Sequence, residues 1–188
     1  MHTKIKTLLF TIAILVSCSD KTPKGSGATF LVTSNVRGQL DPCGWKSNPL
    51  GGLPRRATYI SQVKQSGVDP ILIDAGDSMF ENYYFAKGKE ESAKLRAKTV
   101  MKHTSNMGDY YYNVGVQDFT AGLDFIQEIQ RTTNVNFLSS NLYDEKTDNL
   151  LFNDHIILER NNIKIAIFGV TRELQVDMKG VRVEGYID

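Results

Sequence analysis

The chain predicts an α/β domain built on an open sheet, and three stretches carry that expectation. In Ile71-Leu-Ile-Asp-Ala-Gly-Asp77-Ser78, three large apolar residues run into two carboxylates split by Ala-Gly, the pattern of a buried strand whose C-terminal end opens into a loop. Phe30 to Gly38 and Tyr111 to Asp118 repeat the form, a β-rich run breaking into Gly and polar residues. Ligands of open α/β sheets sit at that edge. The polar residues after the three strands, Asn35 and Arg37, Asp77, and Gln117, are therefore expected to converge on one small patch.

The chain begins with an expected targeting segment. Lys4 and Lys6 precede Leu8 to Val16, an apolar run too short to span a bilayer as a mature helix. Leu15-Val16-Ser17-Cys18 follows where a signal peptide ends. It resembles the box of bacterial lipoproteins, which implies lipid on Cys18 and a firm membrane anchor; an ordinary cleaved leader is the plainer alternative. Residues 1–18 are thus expected as leader, 19–29 as a flexible Gly/Ser/Pro tether, and 30–188 as the folded domain.

Phe30–Thr33 reads as the first strand, Ser34–Gly38 as its terminal loop, and 39–53 as a long irregular loop punctuated by Pro42, Pro49 and Gly51-Gly52. Pro54 opens a helix through Gln65, with Gly67 as its stop. The second strand is Ile71–Asp74. Met79 to Phe85 is an aromatic-rich loop, expected to cover the sheet more than to stack on a base. Gly88 to Asn106 is a charged helix with i,i+4 pairing and a solvated face, Tyr110–Val114 the third strand, and Ala121 to Arg131 an amphipathic helix. A fourth strand runs from Asn136 to Leu142, and strands at Leu150–Leu158 and Ile163–Gly169 form a hairpin through Glu159 to Asn162, where Asn-Asn accommodates left-handed turn geometry. Val170 to Arg172 is a further strand end.

The chain-wide figures narrow the function classes. Hydrophobic content of 41% with 23% charged residues fits one globular domain in 188 residues. Net charge is +1, and falls to about −1 without Lys4 and Lys6, so no basic stripe attracts a nucleic-acid polymer. With Cys18 committed to lipid, Cys43 has no disulfide partner and is expected as a packed, inert thiol, with metal contact or redox chemistry as alternatives. His103 on the charged helix and His155 early in a strand are expected in surface or structural roles.

The segments 33–40, 51–58, 74–77, 115–119, 140–142 and 164–171, in this order and spacing, resemble the N-terminal half of the calcineurin-like metallophosphoesterase domain of the 5′-nucleotidase family. The resemblance implies an incomplete four-layer α/β/β/α sandwich with two divalent metals, Mn, Zn or similar, at the strand ends. Such a pair polarises a phosphate ester and supplies hydroxide, so the family places Asp-x-His, Gly-Asp and Gly-Asn-His-Glu in the three loops. Here those positions hold Asn35-x-Arg37, Gly76-Asp77 and Gly115-Val116-Gln117-Asp118. The resemblance thus leaves Asp77 and Asn35 as metal ligands and Arg37 as a substrate-binding group. Gln117 stands where the family has the histidine that assists the leaving group, and an amide has no useful pKa for that task. Arg37 cannot ligate a cation. Two further histidine-bearing strand ends of the family have no counterpart in this chain, which reads as a truncated frame or one portion of a longer protein, with an exposed sheet edge.

Three functions follow as expectations. The first is a lipid-anchored protein of the bacterial cell envelope with a degenerate phosphoesterase domain, little or no hydrolysis, and a phosphate ester or nucleotide held at Arg37 while Asp77 pairs with that arginine. The second is an active metal-dependent phosphatase or nucleotidase with an altered site on Asp77 and Asn35. The third is a non-enzymatic surface interaction protein.

Overall fold

A computed structural model describes residues 27–44, 47, 50–173 and 178–185. The expected leader, its Cys18, and tether residues 19–26 lie outside them. The elements run β1 (Phe30–Thr33), α1 (Leu53–Gln65), β2 (Ile71–Asp74), α2 (Glu90–Ser105), β3 (Tyr110–Asn113), a 3₁₀ turn (Val116–Ala121), α3 (Leu123–Thr132), β4 (Val135–Leu138), β5 (Leu142–Asp144), β6 (His155–Arg160), β7 (Ile163–Phe168) and β8 (Val181–Val183).

Strands β1 to β4 form one parallel sheet in sequence order, each crossover passing through a helix, as parallel neighbours require. Alternation along the strands divides the core in two. On one face Leu72, Tyr110, Tyr112 and Phe137 pack with Ile60 of α1, Val100 and Met101 of α2, and Ile126 and Ile129 of α3. On the other, Ile71, Tyr111 and Leu138 meet Ile156, Leu158, Ile165 and Ile167 of the β6–β7 hairpin. The described residues thus form three layers of the expected sandwich: helices, parallel sheet, and hairpin. Apolar surface remains on edge strand β1, where Val32 is 64% exposed, and on the hairpin's outer face, where Phe168 is 67% exposed. Among the described residues no helix is long and apolar enough to cross a membrane.

The hairpin turn is as expected: Asn161 and Asn162 sit at φ 52° and 64° between paired Arg160 and Ile163, the left-handed pair of a type I′ turn. Several expectations need correction. Leu142 does not extend the fourth strand; it starts β5, which pairs antiparallel with β8, an element with too few residues to signal itself. The run from Leu150 contributes only isolated bridges before β6 begins at His155. Residues 27–29 are not free tether, since Thr29 O accepts the Ile71 N–H at 2.8 Å and Gly27 O accepts Asn161 Nδ2 at 2.7 Å. Cys43 is exposed rather than packed, on a stretch whose backbone exchanges hydrogen bonds of 2.8 and 2.7 Å with Leu50.

Candidate functional site

The first two strand ends are bonded to each other beyond the sheet. Ala75 N donates to Thr33 O at 2.8 Å, Asn35 N to Gly76 O at 2.9 Å, Arg37 N to Asp77 O at 3.2 Å, and Gly38 N to Ser78 O at 2.9 Å. Asn35, Arg37 and Asp77 all hold positive φ, at 51°, 54° and 55°. Asn and Asp visit this region more readily than most residues, while for arginine it is uncommon. Three such residues in two touching loops mark strain held by the surrounding structure, and strain of this kind gathers at functional sites.

The third strand end joins through two carboxylates. Asp77 Oδ1 accepts the Gln117 N–H at 2.8 Å, capping the start of the 3₁₀ turn. Asp118, wholly buried, reaches back: its Oδ2 accepts Tyr112 OH at 2.6 Å, Gly115 N at 2.8 Å and Asp77 N at 3.1 Å, and its Oδ1 accepts Met79 N at 3.1 Å. Burial pushes Asp118 up to about 7, while bonds from Tyr112, Gly115 and Met79 pull it down and the Asp77 charge pushes it further up. Burial, with the Asp118 charge next, also raises Tyr112 well above the usual phenol range.

Asp74 organises the floor beneath. It is 1% exposed and accepts Thr33 Oγ1 at 2.8 Å, Tyr110 OH at 2.9 Å, Ser78 Oγ at 2.9 Å and the Gly76 N–H at 2.9 Å. The Arg56 guanidinium stands 4.0 Å away and donates to Tyr110 OH at 3.3 Å. A buried carboxylate costs several kcal/mol unless its lone pairs are filled, and here they are. The residues Asp74 and Arg56 therefore support the loops.

The four predicted residues meet through their loops, but their side chains part. Arg37 lines a cleft of about 320 Å³ with Phe80, Tyr84, Lys89 and Arg96. Asn35 lines another, of about 510 Å³, with Thr33, Arg56 and Tyr59. Gln117 is 3% exposed and lines neither. Arg37 and Asp77 form no ion pair among the described residues; their link is the backbone bond alone. The aromatic loop divides: Met79 and Phe80 are buried and cover the core, whereas Tyr84 is 72% exposed. His103 and His155 are exposed, the latter 2.9 Å from Asp154.

These residues do not fit a two-metal centre. Among the described residues no three His, Cys, Asp or Glu side chains lie close enough to hold an ion. The one carboxylate at the bridging position is turned against Gly115, whose ideal Cβ would stand 2.2 Å from Asp77 Oδ1. Sequence reasoning missed Asp118 and Tyr112 as the links between loops; the Gly115-x-x-Asp118 spacing, in which an acid returns to the first backbone N–H of a turn, was the available signal.

No family model matches the chain. A 5′-nucleotidase from Vibrio cholerae is 29% identical over 161 residues, covering 82% of this chain and 26% of that protein. A 5′-nucleotidase precursor structure from Thermus thermophilus superposes with a TM-score of 0.62 at 19% identity, covering 85% of this chain and 32% of the other. A calcineurin-like phosphoesterase from Bacillus subtilis gives 0.54 at 18% identity, over 77% and 48%. The chain therefore spans about a quarter of the length of the curated relatives it matches.

Proposed function

We infer that this chain, which has the fold of the calcineurin-like phosphoesterases and sequence relatives named 5′-nucleotidases, keeps the scaffold as a phosphate-binding module with little or no phosphoester hydrolysis. Its ligand is a phosphate ester or nucleotide, and lipid on Cys18 holds it at the bacterial envelope. The observation that carries the reading is the engagement of Asp77 Oδ1 by the Gln117 N–H at 2.8 Å. It engages one of the two oxygens of that carboxylate in folding the third loop. Asn35, at the first loop, offers a neutral oxygen and lines a different cleft from Arg37. Arg37 supplies the positive charge: guanidinium meets phosphate with two parallel N–H bonds and needs no metal to do so.

The test is calorimetric titration of the full chain with inorganic phosphate in EDTA. Binding that persists with chelator and disappears in Arg37→Gln supports the reading. Turnover of p-nitrophenyl phosphate with added Mn²⁺ or Zn²⁺, abolished by Asp77→Ala, would instead establish a metal-dependent hydrolase. Partner capture unchanged by both substitutions, with no phosphate bound, would leave a surface interaction protein. The anchor has its own readout: Cys18→Ser should move the protein from the detergent phase to the aqueous phase.

A further inference from the structure

The cleft beside Arg37 is walled on its far side by the beginning of α2. Lys89, Ser92, Ala93 and Arg96 all line it, and their spacing of i, i+3, i+4 and i+7 puts them on one helix face. The two central residues are small, so they leave the floor open between two long cations. On the same helix Lys94 pairs with Glu90 at 2.6 Å and Lys98 with Glu128 of α3 at 2.5 Å. Lys89 and Arg96, like Arg37, form no ion pair among the described residues. Glu81 lines the cleft as well, leaving an excess of positive charge there. Tyr84, 72% exposed, also lines it, as do Phe80 and Phe85, which pack edge to face with centroids 5.5 Å apart. The Tyr84 ring is left largely in water on a cleft lined by three cations. It suits stacking on a planar group whose anion the cations hold.

We propose that this cleft binds an aromatic phosphate ester without metal, with Arg37, Lys89 and Arg96 around its phosphate and Tyr84 on its ring. The proposal rests on the reading that Arg37 binds phosphate, and adds a subsite from three residues that lie outside the loops of the family resemblance. The volume of about 320 Å³ falls at the lower end of small-ligand sites, roughly 300 to 1,000 Å³.

The test is calorimetric titration of the full chain in EDTA with AMP, ribose 5-phosphate and inorganic phosphate. AMP is expected to bind about tenfold more tightly than ribose 5-phosphate, the gain of one stacked ring. Tyr84→Ala should erase that difference and Tyr84→Phe should keep it. The double variant Lys89→Gln/Arg96→Gln should weaken both esters about tenfold or more. The proposal is overturned if Tyr84→Ala and the double variant both leave AMP binding within about twofold of wild type. Inorganic phosphate that still binds through Arg37 in that case would leave the broader reading standing. No binding of inorganic phosphate or either ester at millimolar concentration would overturn both.

Discussion

The Asp77 carboxylate and the Gln117 backbone N–H are 2.8 Å apart, across a gap of forty residues in sequence. That bond, with the return bond from Asp77 N to Asp118 Oδ2 at 3.1 Å, closes the second and third strand ends on each other. The side chain that the resemblance implies as a metal ligand has one oxygen engaged in holding a turn. Its removal should be felt as a folding defect before any loss of chemistry.

Asp77→Ala is therefore expected to destabilise the domain by about 2 kcal/mol, adding a lost cap of about 1 kcal/mol to the cost of placing alanine at positive φ. Asp77→Asn keeps an acceptor oxygen and a residue type tolerant of φ 55°, so its cost should stay under about 1 kcal/mol. Urea midpoints of the two variants check this. Equal destabilisation would mean that the charge, and not the cap, is what the site needs.

Gly115 is fixed by proximity. An ideal Cβ there would stand 2.2 Å from Asp77 Oδ1 and 2.5 Å from Asp77 N, and neither atom can retreat without breaking the bonds just described. Gly115→Ala should cost about 2 kcal/mol or more, in the range of overpacked core substitutions, and should lower the melting temperature by several degrees. A variant that melts with wild type would show that the two loops are not locked together in solution.

Much of this arrangement was legible in the sequence because its signals are local. An apolar run ending in Asp-Ala-Gly-Asp77 announces a strand and its loop, and Asn161-Asn162 announces a turn that needs two left-handed residues. The β5–β8 pair was not legible: three-residue strands nearly forty residues apart carry no period of their own, and Leu142 merged with the run before it. The 3₁₀ turn from Val116 to Ala121 is likewise too short for a helical period. Lys89 and Arg96 read as a solvated face because cations at helical spacing look the same whether they front open water or a cleft. Asn35 and Arg37 stand two residues apart on one loop, yet line separate clefts.

Metal addition separates the module from a working hydrolase by mass action. A site with a dissociation constant of 10 μM would stabilise the fold by about 2.7 kcal/mol in 1 mM Mn²⁺, a concentration 100 times that constant. The expected outcome is no resolvable shift in melting temperature with Mn²⁺ or Zn²⁺, and none with EDTA. A rise of several degrees that vanishes in Asp77→Asn would place a cation on this carboxylate and defeat the metal-free reading.

Asp118 gives the fold a pH dependence whose sign can be worked out. Burial raises its folded pKa to about 7, from 3.8 for an ordinary aspartate. Between those values the folded chain holds a proton that the unfolded chain has released, so this residue's contribution falls as pH rises through the window and is lost above about 7. The upper bound for one wholly buried carboxyl with this shift is on the order of 4 kcal/mol. Melting temperature should therefore drop by several degrees from pH 5 to pH 8. Asp118→Asn cannot titrate and should flatten that slope. It also turns an amide N–H toward one of the four donors now bonded to the carboxylate, which costs about 1–3 kcal/mol at every pH. The signature is a variant less stable throughout but nearly level with pH, and a variant that kept the full wild-type slope would move the titration to another group.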